Sequence, residues 1–296
     1  MNGAVSMINK QGGSLSDVSA ENAAAWAANG SAVTLHARAS ASFDGKLAQT
    51  VALLKQVAVQ HAAAHPGQSP RITQASSLGA EDVVISHLIE SLALDIAVFV
   101  LNTGKLHAPT LQLLQQFQST STLKIDVFKP VQTSVITFVQ REGDGVMFKS
   151  VDLRKACCHI RKVEPLARAL EGKTAWITGM RREQSGARAD VPSIDTSDAS
   201  RAKVNPLADW TWGDVWHYIR LHNVPYNPLH DHFFPSIGCE PCTRAIALGE
   251  DFRAGRWWWE DENAKECGLH VATAHVQADV QDHVHAHVHA KDQAPA

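Results

Sequence analysis

Two cysteine pairs far apart in the chain constrain it most: the adjacent Cys157-Cys158 and the spaced Cys239-Glu240-Pro241-Cys242. If they serve one purpose, the fold must bring the two segments together. Four thiolates in two close pairs can wrap one inorganic centre. Neighbouring residues of a helix point about 100° apart, so Cys157 and Cys158 share a centre only if it is polynuclear or strained. The x2 spacing lets Cys239 and Cys242 grip the same centre, with Gly238 freeing the backbone and Pro241 stiffening it. A fifth cysteine, Cys267, is left over in a polar segment near the end. The division points to an enzyme with a bound iron–sulfur cluster and a separate sulfur-attacking thiol. Other readings stay open. A Zn(Cys)4 site normally uses two spaced pairs rather than a tandem one. Cys239 and Cys242 also fit a redox-active disulfide, and all four fit buried structural thiols.

At 296 residues with 45% hydrophobic composition, the chain can build one large domain or two small ones. It contains no run of about 20 apolar residues, so no membrane span is expected. The first forty residues lack a basic region followed by an apolar one, which argues against a signal peptide. Thiolate ligands and a free thiol fit a reducing cytoplasm. A formal net charge of −3 argues against nucleic-acid binding. The sequence sets no oligomeric state and leaves a homo-oligomer open.

Residues 1–40, rich in Ala, Ser, Gly and Asn, read as a flexible lead-in with one short helix at 20–28. Residues 41–270 read as a single domain and 271–296 as a low-complexity, His-rich tail. Leu47, Val51, Leu54 and Val57 give 43–61 the spacing of an amphipathic helix. Strands are predicted at 71–75, 96–101, 124–128 and 174–179. Helices are predicted at 81–94, 109–118, 133–141 and 152–170. Alternation of this kind predicts an α/β fold with a mostly parallel sheet flanked by helices. After Gly179 the pattern changes to long loops and a Trp-rich helix at 212–221. This part is expected to fold back over the sheet as a lid.

Ser76-Ser77-Leu78-Gly79-Ala80-Glu81-Asp82 joins a predicted strand to a predicted helix. Free backbone N–H groups and the positive helix end make that junction a place for an anion. Asn102-Thr103-Gly104 follows the next strand at the same sheet edge. Together the two loops form a crevice for a nucleotide.

The motifs as a set resemble those of the assimilatory adenylyl-sulfate reductases, the iron–sulfur branch of the phosphoadenylyl-sulfate (PAPS) reductase family. The set comprises the loop at 76–82, the tandem cysteines, Gly179-Met180-Arg181-Arg182-Glu183-Gln184-Ser185 and Gly238-Cys239-Glu240-Pro241-Cys242. It continues with Arg253-Ala254-Gly255-Arg256-Trp257-Trp258-Trp259-Glu260 and Lys265-Glu266-Cys267-Gly268-Leu269-His270. The resemblance runs from about Arg71 to His270. It implies a Rossmann-like adenine nucleotide alpha hydrolase-like fold with a mobile C-terminal tail, and a [4Fe-4S] cluster on Cys157, Cys158, Cys239 and Cys242. It also implies reduction of adenosine 5'-phosphosulfate (APS) to sulfite and AMP, with thioredoxin as electron donor. One departure is visible: Asn102 stands where the family often has Asp, keeping the size and an acceptor oxygen but losing the charge.

Chemistry gives these residues roles. A thiolate must attack sulfur in a substrate that carries sulfate and phosphate, so like charges converge. At 4 Å two unit charges interact by roughly 4 kcal/mol at an effective dielectric near 20, about three decades in rate. Arginine offsets this by binding oxyanions bidentately. By resemblance, Arg253, Arg256 and Lys162 hold the phosphosulfate; the two arginines share a face if their segment is helical. Arg181, Arg182 and Arg188 add a second basic loop. The nucleotide side is assigned to Ser76, Ser77, Gly79, Glu81, Asp82, Thr103 and Gly104. Cys267 is the expected nucleophile, forming a cysteine S-sulfonate, and His270 is expected to favour its thiolate. The cluster is expected to polarise the pocket through Lys162 rather than shuttle electrons. Packing of the closing segment is the expected role of Trp257-Trp258-Trp259.

Three rival readings fit the residues less well. A PAPS reductase generally lacks the paired cysteines. A PP-loop ATP pyrophosphatase, such as a tRNA thiolation enzyme, carries Ser-Gly-Gly-x-Asp-Ser, whereas this chain has Ser77-Leu78-Gly79-Ala80-Glu81. A zinc-dependent nucleic-acid module fits neither the acidic balance nor the tandem cysteines.

Overall fold

Short runs of β-branched and aromatic residues supply the strands, because such side chains pack well on a pleated surface covered on both faces. The computed structural model describes residues 30–65 and 68–260. Six strands form one sheet: β1 (Ile72–Ser76), β2 (Ala97–Leu101), β3 (Ile125–Phe128), β4 (Ala175–Ile177), β5 (Ile194–Asp195) and β6 (Ala202–Val204). Their order is β3-β2-β1-β4-β6-β5. Every pairing is parallel except β5 with β6. The described helices are α1 (Ala32–His36), α2 (Phe43–Gln60), α3 (Ala80–Ser91), α4 (Ala108–Thr120), α5 (Gln132–Glu142), α6 (Val151–Cys158), α7 (Glu164–Ala169) and α8 (Trp212–His222).

The chain builds outward from β1 to β3, then returns to place β4 on the other side of β1. That reversal opens a crevice at the carboxyl ends of the strands, where α/β sheets bind ligands. Register keeps the crevice level: Ser76 pairs with Val100 and Val100 with Val127. Side chains alternate across the sheet. Ile72, Val100, Ile177 and Val204 join the main core with Leu54, Ile85, Trp210 and Trp216. Phe99 and Trp176 face the other side, against Ala169 and Leu170.

Two expectations need correction. Residues 30–40 do not belong to a loose lead-in. Ala32 is buried in the core, and both the N–H and the hydroxyl of Ser40 donate to Asp214, at 2.7 and 3.0 Å. The segment after Gly179 is more than loops and a helix, because β5 and β6 extend the sheet. β5 and β6 are two and three residues long and each carries a charged residue, Asp195 and Lys203, so neither shows an apolar run. The helix expected at 20–28 and the His-rich tail lie outside the described residues. No helix among them is long and apolar enough to cross a membrane.

Candidate active site

The loop after β1 is held open by its own side chains. Leu78 takes a left-handed φ of 61°, and Gly79 caps α3. One Asp82 carboxylate oxygen accepts the Ser77 N–H at 2.7 Å and the Ser77 hydroxyl at 2.6 Å. Burial nonetheless pushes the Asp82 carboxyl up to about 6, because desolvation outweighs the bonds to the charged form. Gly179, at the end of β4, must stay small. A Cβ there would meet Asp82 Oδ1 at 2.5 Å and Glu81 Cβ at 2.8 Å.

These residues wall one side of a cleft of about 230 Å³, which Ser76, Ser77, Gly79, Glu81 and Asp82 all line. Thr103, Lys162, Arg188, Arg253 and Arg256 line it as well. Thus β1, β2, the turn after α6, the loop after β4 and the 252–257 segment converge on one space. Gly104 does not line it. Its φ of 71° turns the chain, and its N–H donates to Asn102 Oδ1 at 3.1 Å. Asn102 therefore closes a tight local turn, work that needs an acceptor oxygen and no charge.

The six expected basic residues divide. Arg253 and Arg256 meet the cleft, yet their segment is a series of turns rather than a helix. Gly255 lets the Arg244 carbonyl approach closely, and Trp257 takes a left-handed φ of 41°. Arg188 lines the cleft and donates to Gln184 Oε1 at 2.5 Å. Arg181 does not line it. Its side chain is fully buried, pairs with Glu81 at 2.9 Å and Glu183 at 2.7 Å, and donates to the Trp210 carbonyl. Arg182 points elsewhere, to Asp209 and the Val191 carbonyl. Arg181 thus braces Glu81 from behind, and Arg182 serves the surface.

The four paired cysteines do come together. All are buried, none in a disulfide, and they share one cluster with Phe138, Met147 and Trp257. The continuous rod from α6 to α7 contains a π-helical turn, His159–Val163, directly after the tandem pair. Such turns recur at functional sites because they re-aim side chains. Here the turn carries Arg161 and Lys162, both buried. Arg161 donates to the Thr103 carbonyl at 2.8 Å. The Thr103 hydroxyl lies 3.3 Å from Cys239 Sγ. Lys162 and Cys239 line both the cleft and the cysteine cavity, so the two spaces share a wall.

Electrostatics of the cysteine cavity fit a metal-bearing group. Burial and the neighbouring Cys239 push the Cys242 thiol up to about 12, with Lys162 and Arg256 opposing. Burial raises Cys157 in the same way, against Arg161. Held as thiolates, the four would need compensating positive charge, which Arg161 and Lys162 supply at the lining in part, the charge of Arg154 being met by Glu260. Metal ions would supply the rest. Trp257 Nε1, buried in this cluster with no partner among the described residues, is a spare donor for sulfur. No group of three or more His, Cys, Asp or Glu side chains among the described residues is placed to hold a single ion. A [4Fe-4S] group asks for wider spacing, since each iron takes one thiolate.

Cys267 and His270 lie outside the described residues. The chain reaches that boundary at Glu260, which Arg154 grips through two hydrogen bonds, at 2.9 and 2.7 Å. Sequence reasoning missed Arg154, Arg161 and Glu260. Arg154 precedes Cys157 by one helical turn, and that spacing was the available signal.

The phosphoadenosine phosphosulfate reductase domain family matches residues 71–245. The chain is 49% identical over 229 residues to an adenosine 5'-phosphosulfate reductase of Burkholderia cepacia, covering 77% of this chain and 88% of that one. It is 50% identical over 200 residues to the enzyme of that name from Allochromatium vinosum, covering 67% and 78%. Among solved structures it is similar to phosphoadenylyl-sulfate (PAPS) reductase from Candida auris in a phosphate complex. The TM-score is 0.54 at 26% identity, over 65% of this chain and 88% of that one. With a domain match over more than half its length and relatives near half identical, the chain belongs to the phosphoadenosine phosphosulfate reductase family.

Proposed function

We propose that this protein reduces adenosine 5'-phosphosulfate to sulfite and AMP, with thioredoxin as reductant and a [4Fe-4S] cluster on Cys157, Cys158, Cys239 and Cys242. One observation carries the reading: the nucleotide cleft and the four-cysteine cavity meet at Lys162 and Cys239. The curated relatives named above carry the same activity in their names. The paired cysteines favour this substrate over its 3'-phosphorylated counterpart, since PAPS reductases generally lack them. A thiol-dependent reaction with free thiols suits the cytoplasm.

The loops after β1 and β2 cradle the nucleotide, with Ser76, Ser77 and Gly79 near the ribose and phosphate and Thr103 at the sulfur side. Arg188, Arg253, Arg256 and Lys162 neutralise the phosphosulfate, and so lower the repulsion met by an incoming thiolate. The Cys267 thiolate attacks the sulfate sulfur and the sulfur–oxygen bond to phosphate breaks. AMP leaves with the bonding pair, and Cys267 keeps the SO3 group as an S-sulfonate. His270 favours the thiolate form. A thioredoxin thiolate then attacks the Cys267 sulfur and releases sulfite. Its second thiol resolves the mixed disulfide, so two electrons come from thioredoxin. Bound on the four cysteines, the cluster adds fixed charge beside Lys162 and ties the 157–158 and 239–242 segments together.

Incubating the protein with substrate, reductant withheld, should add the mass of one SO3 group at Cys267. Sulfite should then appear only when thioredoxin follows. Cys267→Ser should bind AMP and do neither. Sulfite production undiminished in Cys267→Ser would refute the scheme.

A further inference from the structure

Thr110 stands in the first turn of α4 and lines the cleft, with only 1% of its surface exposed. Its partner is Asn227, which is fully buried and begins the short 3-10 turn Pro228–His232. Asn227 Oδ1 accepts the Leu229 N–H at 3.1 Å. That bond fixes which way the amide faces and leaves its amino group for Thr110. Asn227 Nδ2 donates to Thr110 Oγ1 at 2.8 Å.

A threonine hydroxyl both accepts and donates, whereas an amide nitrogen only donates. Asn227 therefore fills the accepting side of Thr110 and leaves the hydroxyl proton over. Among the described residues that proton has no acceptor, since Asn227 Nδ2 is the one hydrogen-bond partner of Thr110 Oγ1 there. A buried donor left unmade costs stability, unless something bound supplies the oxygen. The open space that Thr110 borders is the cleft. Its surroundings say which kind of oxygen belongs there. His107, one helical turn before Thr110, has its ring 5.6 Å from that of Phe234, and Leu106 pairs with Cys239. Between them, Ser236 and Ile237 line the cleft and accept from Arg256 at 3.2 and 3.4 Å. No side chain caps the first turn of α4, so the positive end of a 13-residue helix also favours an anion there.

We propose that Thr110 is a further substrate-contacting residue: its hydroxyl, turned by Asn227, donates to an oxygen of the phosphosulfate. Asn227 is its positioning residue and does not touch substrate. This rests on the cleft being the nucleotide site. Arginine and lysine bring charge to that site. Thr110 brings one neutral donor whose direction is set before the substrate arrives, so little reorganisation opposes the contact.

Two variants break the same internal bond, and only one of them removes the donor. In Thr110→Val, kcat/KM for sulfite release should fall about tenfold or more, as loss of a hydrogen bond to a charged group does. Asn227→Ala keeps the hydroxyl, so it should lower the melting temperature yet retain most of the wild-type kcat/KM. Thr110→Ser restores the hydroxyl and should retain most of it too. Adenosine lacks the anion, so its inhibition constant should be the same for Thr110→Val and wild type. A cooperative melting transition identifies a folded variant; should Thr110→Val lack one, Thr110→Ala takes its place. Three results would overturn the inference while leaving the proposed reaction intact: wild-type kcat/KM in Thr110→Val, equal losses in Thr110→Val and Asn227→Ala, or adenosine inhibition that weakens along with kcat/KM. A wild-type protein that releases no sulfite would bring down the proposed reaction, and this inference with it.

Discussion

Gly238 lies beneath the guanidinium of Arg256: a Cβ at 238 would stand 2.5 Å from Nη2 and 2.6 Å from Cζ. The residue before the first loop cysteine therefore decides where a cleft arginine can rest. Gly238→Ala should push Arg256 off its site, because the tip of a side chain yields more readily than backbone. Misplacement by about an ångström costs on the order of 100-fold in rate. We expect kcat/KM for sulfite release to fall by about that factor, with the melting temperature nearly unchanged. Activity near wild type would disprove the placement of Arg256.

Arg181 and Arg182 are neighbours in sequence and opposites in role. Arg181→Met removes the buried partner of Glu81 and should cost about 3 kcal/mol of stability, as broken buried pairs do. Arg182→Ala touches a half-exposed pair with Asp209 and should stay within about 0.5 kcal/mol. Denaturation and AMP titration separate them: Arg182→Ala should bind AMP like wild type, whereas Arg188→Ala, whose residue lines the cleft, should bind it more weakly.

Asp82 gives the fold a pH dependence of definite sign. Its folded carboxyl sits at about 6 rather than 3.8, chiefly through burial. The protonated form is therefore the stabilised one. That contribution is whole below the ordinary carboxylate value and is lost as pH rises through about 6, amounting to about 3 kcal/mol at most. Melting temperatures measured near pH 5 and near pH 7.5 should fall less between the two for Asp82→Asn than for wild type. An equal fall in both proteins would contradict the assignment.

The four buried thiols act as a set. Protein purified without oxygen should be brown, with iron and acid-labile sulfide in equal amounts. Cys157→Ser and Cys242→Ser should each lose the colour and most of the iron, while AMP binding weakens less than sulfite release. A colourless protein with bound zinc would reverse this expectation.

Much of the fold is legible in the sequence. The strand–helix alternation from β1 to β4 follows from short strand-like segments separated by amphipathic helices, and the loops after β1 and β2 lie at the predicted sheet edge. The cysteine pairs, by chemical type and spacing, already pointed to one shared cavity. By itself the sequence also limits the basic residues that can meet an anion to a few short motifs.

Tertiary structure decided which of them do. Arg181 and Arg182 differ by one position, yet in the loop after β4 the first turns inward to Glu81 and the Trp210 carbonyl as a brace and the second outward to Asp209. The Arg154–Glu260 pair joins residues far apart in sequence. Local propensity records which elements can form. It does not record which buried charge will find its partner a hundred residues away.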